Sequence, residues 1–169
     1  MDIIKFALKM EMDGKMFYEK QAANETNPEL KKILLTLAEE EQRHYEIFKR
    51  WQDDPSDVSG GNILDGAKTL AMVKNIFQTM ADQPDQPPFG DDVISAWTEA
   101  LRIEEKSEKF YKEKAAEESN PARKDMLQRI AAEEYNHVKM IDGVLMFLKQ
   151  PADFARSAQF MNFRSLEGL

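Results

Sequence analysis

The chain has 169 residues, 42% hydrophobic and 32% charged, enough for a single domain, 1–169, with a sizeable core. Its net charge of -8 argues against a nucleic-acid partner, and its lack of cysteine removes disulfides, thiolate sites and Fe–S clusters, so any metal must be held by nitrogen and oxygen. No window approaches the ~18 consecutive apolar residues of a membrane span, and Met1 to Met10 lacks a basic region followed by an apolar stretch, so a cytoplasmic protein without membrane partners is expected.

In chain order, a first helical hairpin is expected over about 2–52, broken at Asn27-Pro28. Proline suits the first turn of a new helix and forces the residue before it out of helical geometry. A crossover over about 53–90 follows, with a turn-rich linker from Asp53 to Asn62, a shorter helix from Ile63 to Met80, and three prolines between Asp82 and Gly90. A second hairpin covers about 91–149, broken at Asn120-Pro121. The tail, 150–169, carries Phe154, Phe160, Met161 and Phe163, apolar enough to pack on the bundle or on another subunit. No segment alternates in the manner of a strand, so the fold class is all-α. A connection of about forty residues, far above the usual ~2–8 between neighbouring helices, points to an antiparallel four-helix bundle with the long crossover of ferritin-like folds.

The two hairpins are an internal repeat. At an offset of 93 residues, Glu11 falls on Glu104, Phe17-Tyr18 on Phe110-Tyr111, Asn27-Pro28 on Asn120-Pro121, Glu40-Glu41 on Glu133-Glu134 and His44 on His137, and sixteen of thirty-eight positions are identical. On the second helix, Leu30, Leu34, Leu37, Phe48 and Trp51 form one apolar stripe that also contains Glu41 and His44. The fourth helix repeats this with Glu134 and His137 among Leu127, Ile130, Ile141, Val144 and Leu148. At ~1.5 Å per residue, Glu11 and Glu41 both stand roughly 20–24 Å from the first turn, and Glu104 and Glu134 stand likewise from the second.

Four carboxylates and two imidazoles are thereby expected at one level: Glu11, Glu41, His44, Glu104, Glu134 and His137. Desolvating four unpartnered carboxylates is prohibitive, and two divalent cations would cancel their charge. One Glu from each of two helices with Glu-x-x-His from each of the other two is the ligand set of di-iron bundles. The bland alternative, histidines that merely follow glutamates in a Glu-rich chain, leaves unexplained why the only two histidines occupy equivalent repeat positions on an apolar stripe. Iron is the expected metal, with zinc or manganese as substitutes that the same ligands accept.

The segments ALKMEMDGKMFYEKQA with LAEEEQRH, and ALRIEEKSEKFYKEKA with IAAEEYNH, resemble the rubrerythrin branch of the ferritin-like superfamily across both hairpins. The resemblance implies that Glu11 and Glu104 are outer carboxylates, that Glu41 and Glu134 bridge two irons, and that His44 and His137 each cap one. It also implies reduction of peroxide or dioxygen. Rubrerythrins add a cysteine-rich rubredoxin-like domain, which a chain without cysteine cannot contain, so electrons are expected from a separate, rubredoxin-like donor protein. They also place a further glutamate where Ser107 stands here, which sets peroxide turnover apart from metal binding as an expectation.

Several residues admit two readings. Tyr18 and Tyr111, two turns beyond Glu11 and Glu104, either hydrogen-bond carboxylates on a neighbouring helix or are ordinary core tyrosines. Gly14 and Ser107 either leave space for a small oxidant or, the favoured reading, permit close helix packing. The acid runs around Glu39-Glu40 and Glu117-Glu118 read as solvated faces, with Glu40 and Glu133 able to reach the outer layer of the site. The ten methionines read as core filler. Trp97, the crossover helix and the tail offer apolar surface for a homodimer or higher oligomer. Beside the oxidoreductase reading stand a ferroxidase for iron handling and a metal-binding bundle without turnover.

Overall fold

The computed structural model describes residues 3–57, 66–81 and 89–150. They form five helices: α1 (Ile3–Asn24), α2 (Pro28–Asp53), α3 (Gly66–Ala81), α4 (Asp91–Glu117) and α5 (Pro121–Lys149). No strand occurs among the described residues, and no described helix is long and apolar enough to cross a membrane. The end of the expected linker, the three prolines expected before Gly90, and the aromatic tail with Phe154, Phe160, Met161 and Phe163 lie outside the described residues.

Both hairpin turns are set by the same local chemistry. Asn27 is in extended geometry, and its side-chain oxygen accepts from the backbone N–H of Glu29 at 2.9 Å and of Leu30 at 3.1 Å. Asn120 does the same for Ala122 at 3.0 Å and Arg123 at 3.1 Å. Each Asn satisfies two otherwise orphaned N–H groups, and the proline after it has no N–H to satisfy. With so short a turn, α1 must lie antiparallel against α2, and α4 against α5.

The buried face of α1 (Ala7, Glu11, Gly14, Tyr18, Ala22) recurs every three or four residues, and α4 repeats it with Trp97, Ala100, Glu104, Ser107, Tyr111 and Ala115. The interior is layered along the bundle. One apolar layer joins the start of α2 (Leu30, Ile33, Leu37) to the end of α5 (Ile141, Val144, Leu148). The other joins the end of α2 (Ile47, Phe48, Trp51) to the start of α5 (Leu127, Ile130). Between them lies the level of the six acid and imidazole side chains, as a pseudo-twofold relation between the hairpins requires.

The crossover helix α3 belongs to the first layer, where Val73, Ile76, Phe77 and Met80 are buried. Thr36 of α2 reaches Met72 of α3, Oγ1 to Sδ 3.6 Å. Trp97, expected at an outer surface available to a partner, is instead only 2% exposed in that same layer. The physical reason is packing against the end of the first hairpin, where Trp97 stands beside Gln21, Thr26 and Leu34, within the cluster that also takes in Val73, Ile76, Phe77 and Met80 of α3.

Candidate metal centre

Glu11 of α1, Glu41 and His44 of α2, Glu104 of α4, and Glu134 and His137 of α5 are all buried, none above 3% exposed. Ligand atoms of Glu11, Glu41, His44 and Glu134 lie within 4.8 Å of one another, and so do those of Glu41, Glu104, Glu134 and His137. The two clusters share Glu41 and Glu134. The geometry of Glu134 shows why: its Oε1 lies 3.1 Å from His44 Nδ1, and its Oε2 lies 3.3 Å from His137 Nδ1. Glu11 Oε2 stands 3.5 Å from His44 Nδ1 and Glu104 Oε2 stands 3.2 Å from His137 Nδ1. The imidazole rings are near parallel, at 27°, with centroids 6.2 Å apart.

Around this set, four supports cross from one hairpin to the other. Tyr18 donates its hydroxyl to Glu104, and Tyr111 donates to Glu11. Of the two readings for these tyrosines, the structure selects the hydrogen-bonding one, and the acceptors are the cluster's own carboxylates. The outward nitrogen of His44 pairs with Glu133 Oε2 at 2.7 Å, and that of His137 pairs with Glu40. Glu40 lies in an acid run read as a solvated face, yet it and Glu133 are the two acids expected to reach the outer layer of the site, and Glu40 is only 2% exposed. Burial there is sustained by His137 on one oxygen and Thr69 Oγ1, 2.6 Å away, on the other. Thr69 was not foreseeable: it lies on the crossover helix, whose register against the bundle leaves no mark in the repeat.

Gly14 of α1 allows close approach of a side chain from α2. A Cβ there would stand 3.0 Å from Glu41 Oε2 and 3.2 Å from its Cδ, so the missing side chain makes room for a carboxylate of the cluster. Ser107, the repeat partner of Gly14, is buried at 5% exposure on α4.

Charge is strongly redistributed within the centre. Burial, reinforced by the charges of Glu11, Glu134 and Glu104, pushes Glu41 well above the usual carboxylate range. Burial and the charge of Glu104 lift Glu134 to about 7, partly offset by both histidines. For Glu104, burial is outweighed by the charge and hydrogen bond of His137, with help from Tyr18, and the carboxyl falls to about 2. Glu11 is lowered in the same way, His44 overcoming burial. Burial disfavours charge on the imidazoles, yet Glu11 holds His44, and Glu104 and Glu40 hold His137, well above their ordinary values. The metal-free cluster therefore neutralises itself with protons.

Those protons do not complete it. Both oxygens of Glu134, Glu11 Oε2 and His44 Nδ1 are buried and lack a well-aligned hydrogen bond, although imidazole and carboxylate atoms of the cluster stand 3.1, 3.3 and 3.5 Å apart. Buried polar atoms are almost always satisfied, so four such atoms on two overlapping clusters mark a site shaped for something else. Carboxylate and imidazole donors suit divalent iron, manganese or zinc, and a pair of such ions would balance four carboxylates. The six residues fit a pair of metal ions.

A helical bundle whose interior carries two Glu/His clusters sharing two carboxylates has the architecture of the di-iron carboxylate proteins of the ferritin-like class. The rubrerythrin family model matches residues 2–145, and the chain belongs to the rubrerythrin family, a ferritin-like di-iron carboxylate family. No curated protein and no solved structure matches it.

Proposed function

We propose that this protein is a di-iron oxidoreductase of the cytoplasm that reduces peroxide or dioxygen with electrons from a separate, rubredoxin-like donor protein. The observation that carries the reading is the pair of buried Glu/His clusters sharing Glu41 and Glu134, with one oxygen of Glu134 turned to each. In this reading Glu11 and His44 would hold one ion, Glu104 and His137 the other, and Glu41 and Glu134 both. When bound, adjacent ferrous ions supply two electrons at once to a small oxidant.

The chain's own residues supply the rest. His44 and His137 present Nδ1 inward because Glu133 and Glu40 hold Nε2, which fixes the ring orientation and raises basicity at the inward nitrogen. Tyr18 and Tyr111 keep their protons, since burial and the neighbouring carboxylates push both phenols well above their ordinary value. As permanent donors they pin one oxygen each of Glu104 and Glu11, leaving the other oxygen turned inward. The apolar layers on either side exclude bulk water, which protects a reactive centre from side reactions.

Anaerobic loading with Fe(II), followed by rapid mixing with peroxide, tests this proposal. Oxidation of the iron within seconds, and repeated turnover when a reducing protein is supplied, is the expected result. Ferrous iron that persists in excess peroxide would overturn the oxidoreductase assignment while leaving the metal centre in place.

A further inference from the structure

The six central residues and the tyrosines and glutamates that hold them obey the repeat, and the contact from α3 to Glu40 departs from it. Glu40 and Glu133 are equivalent positions, each holding the outward nitrogen of a histidine from the opposite hairpin. Glu40 is itself held: Thr69 of α3 donates to its second oxygen at 2.6 Å, and Arg43 Nη1 stands 4.0 Å away. Its side chain is 2% exposed, against 13% for that of Glu133, whose second oxygen has no hydrogen-bond or ion-pair partner among the described residues. Helix α3 is anchored by four buried apolar side chains, so the Thr69 hydroxyl is delivered by a packed element and not by a mobile loop.

We infer that the crossover helix makes the two metal positions unequal: Thr69 acts as a positioning residue through Glu40 and His137, so that the ion beside Glu104 and His137 is the slower to leave. The inference rests on the metal-centre reading above. A carboxylate fixed at both oxygens holds the imidazole in one orientation, whereas water competes for Glu133 and loosens the hold on His44. Substituting such outer partners typically changes metal affinity by about 10- to 100-fold. Thr69 acts one bond further out, and an effect of about tenfold is expected.

The test uses the full chain loaded with Co(II) alone, challenged with excess chelator and followed by its visible absorption. Wild type should lose its two ions in two phases of equal amplitude whose rates differ by about tenfold. Thr69→Val, with helical content checked by circular dichroism, should bring the slow phase close to the fast one, and Thr69→Ser, which keeps the hydroxyl, should restore it. Glu133→Gln should accelerate the fast phase alone, and carries the test if Thr69→Val does not fold. A single phase for both ions in wild type, or two phases that Thr69→Val leaves unchanged, overturns the inference while the metal centre stands. A protein that binds no Co(II) removes both.

Discussion

At the scale of single residues, the centre depends on groups that offset one another's burial. Glu41 is the clearest case, since burial and three neighbouring carboxylates all oppose its charge. Glu41→Gln keeps the shape and removes that opposition. In the metal-free protein at pH 8 its melting temperature should rise by about 5 °C, the equivalent of about 1–2 kcal/mol in a chain of this size. Elemental analysis of the same variant should find fewer than two ions retained. Gly14→Ala separates fold from site in the opposite way. Alanine favours the helix interior by about 1 kcal/mol, so calorimetry of the metal-free variant should show stability kept or raised. Its Cβ at 3.0 Å from Glu41 Oε2 displaces that carboxylate, and metal affinity measured by competition with a chelator should fall by about tenfold.

The elements are positioned by devices remote from the chemistry. Asn27 and Asn120 each cap a helix with two side-chain hydrogen bonds and thereby set where Glu41 and Glu134 stand along the bundle. Asn27→Ala and Asn120→Ala should each cost about 1 kcal/mol, or about 2–4 °C in melting temperature, with full metal content retained. A loss of metal in either variant would mean that the cap also governs the level at which the hairpins meet. Helix α3 plays a different part. It joins the apolar layer with Val73, Ile76, Phe77 and Met80, and it carries the hydroxyl that holds Glu40.

For the molecule as a whole, the protons that stand in for metal set the pH dependence. Glu134, raised from 4.5 to about 7, contributes stability to the metal-free protein that is fully present below pH 4.5 and is lost as pH rises through about 7. The two imidazoles, also raised, act in the same direction at higher pH. Glu104, lowered to about 2, contributes stability present above pH 4.5 and lost as pH falls toward 2. Metal-free protein should therefore be most stable in mild acid and weaken from pH 5 to 8. Loaded protein should show the reverse slope over that range, because ions displace the protons and bind better as pH rises. Thermal melts of both forms across pH check this, and parallel curves would argue that the cluster does not exchange protons for metal.

Much of the architecture follows from local rules that a sequence states openly. Asn-Pro fixes the hairpin turns, the 3.6-residue period puts Glu41, His44, Glu134 and His137 on buried stripes, and the 93-residue repeat relates the two halves. These are properties of one helix at a time, and they carry as far as which residues share a face and a level. Which neighbour each side chain meets is a property of how helices pack, and periodicity does not encode it. The crossed supports, Tyr18 to Glu104, Tyr111 to Glu11, Glu133 to His44 and Glu40 to His137, were thus decided only by the tertiary structure. So were the burial of Trp97, which depends on the first hairpin meeting the second, and the reach of Thr69 to Glu40, because the docking of α3 depends on an apolar face matching a flank assembled from distant segments.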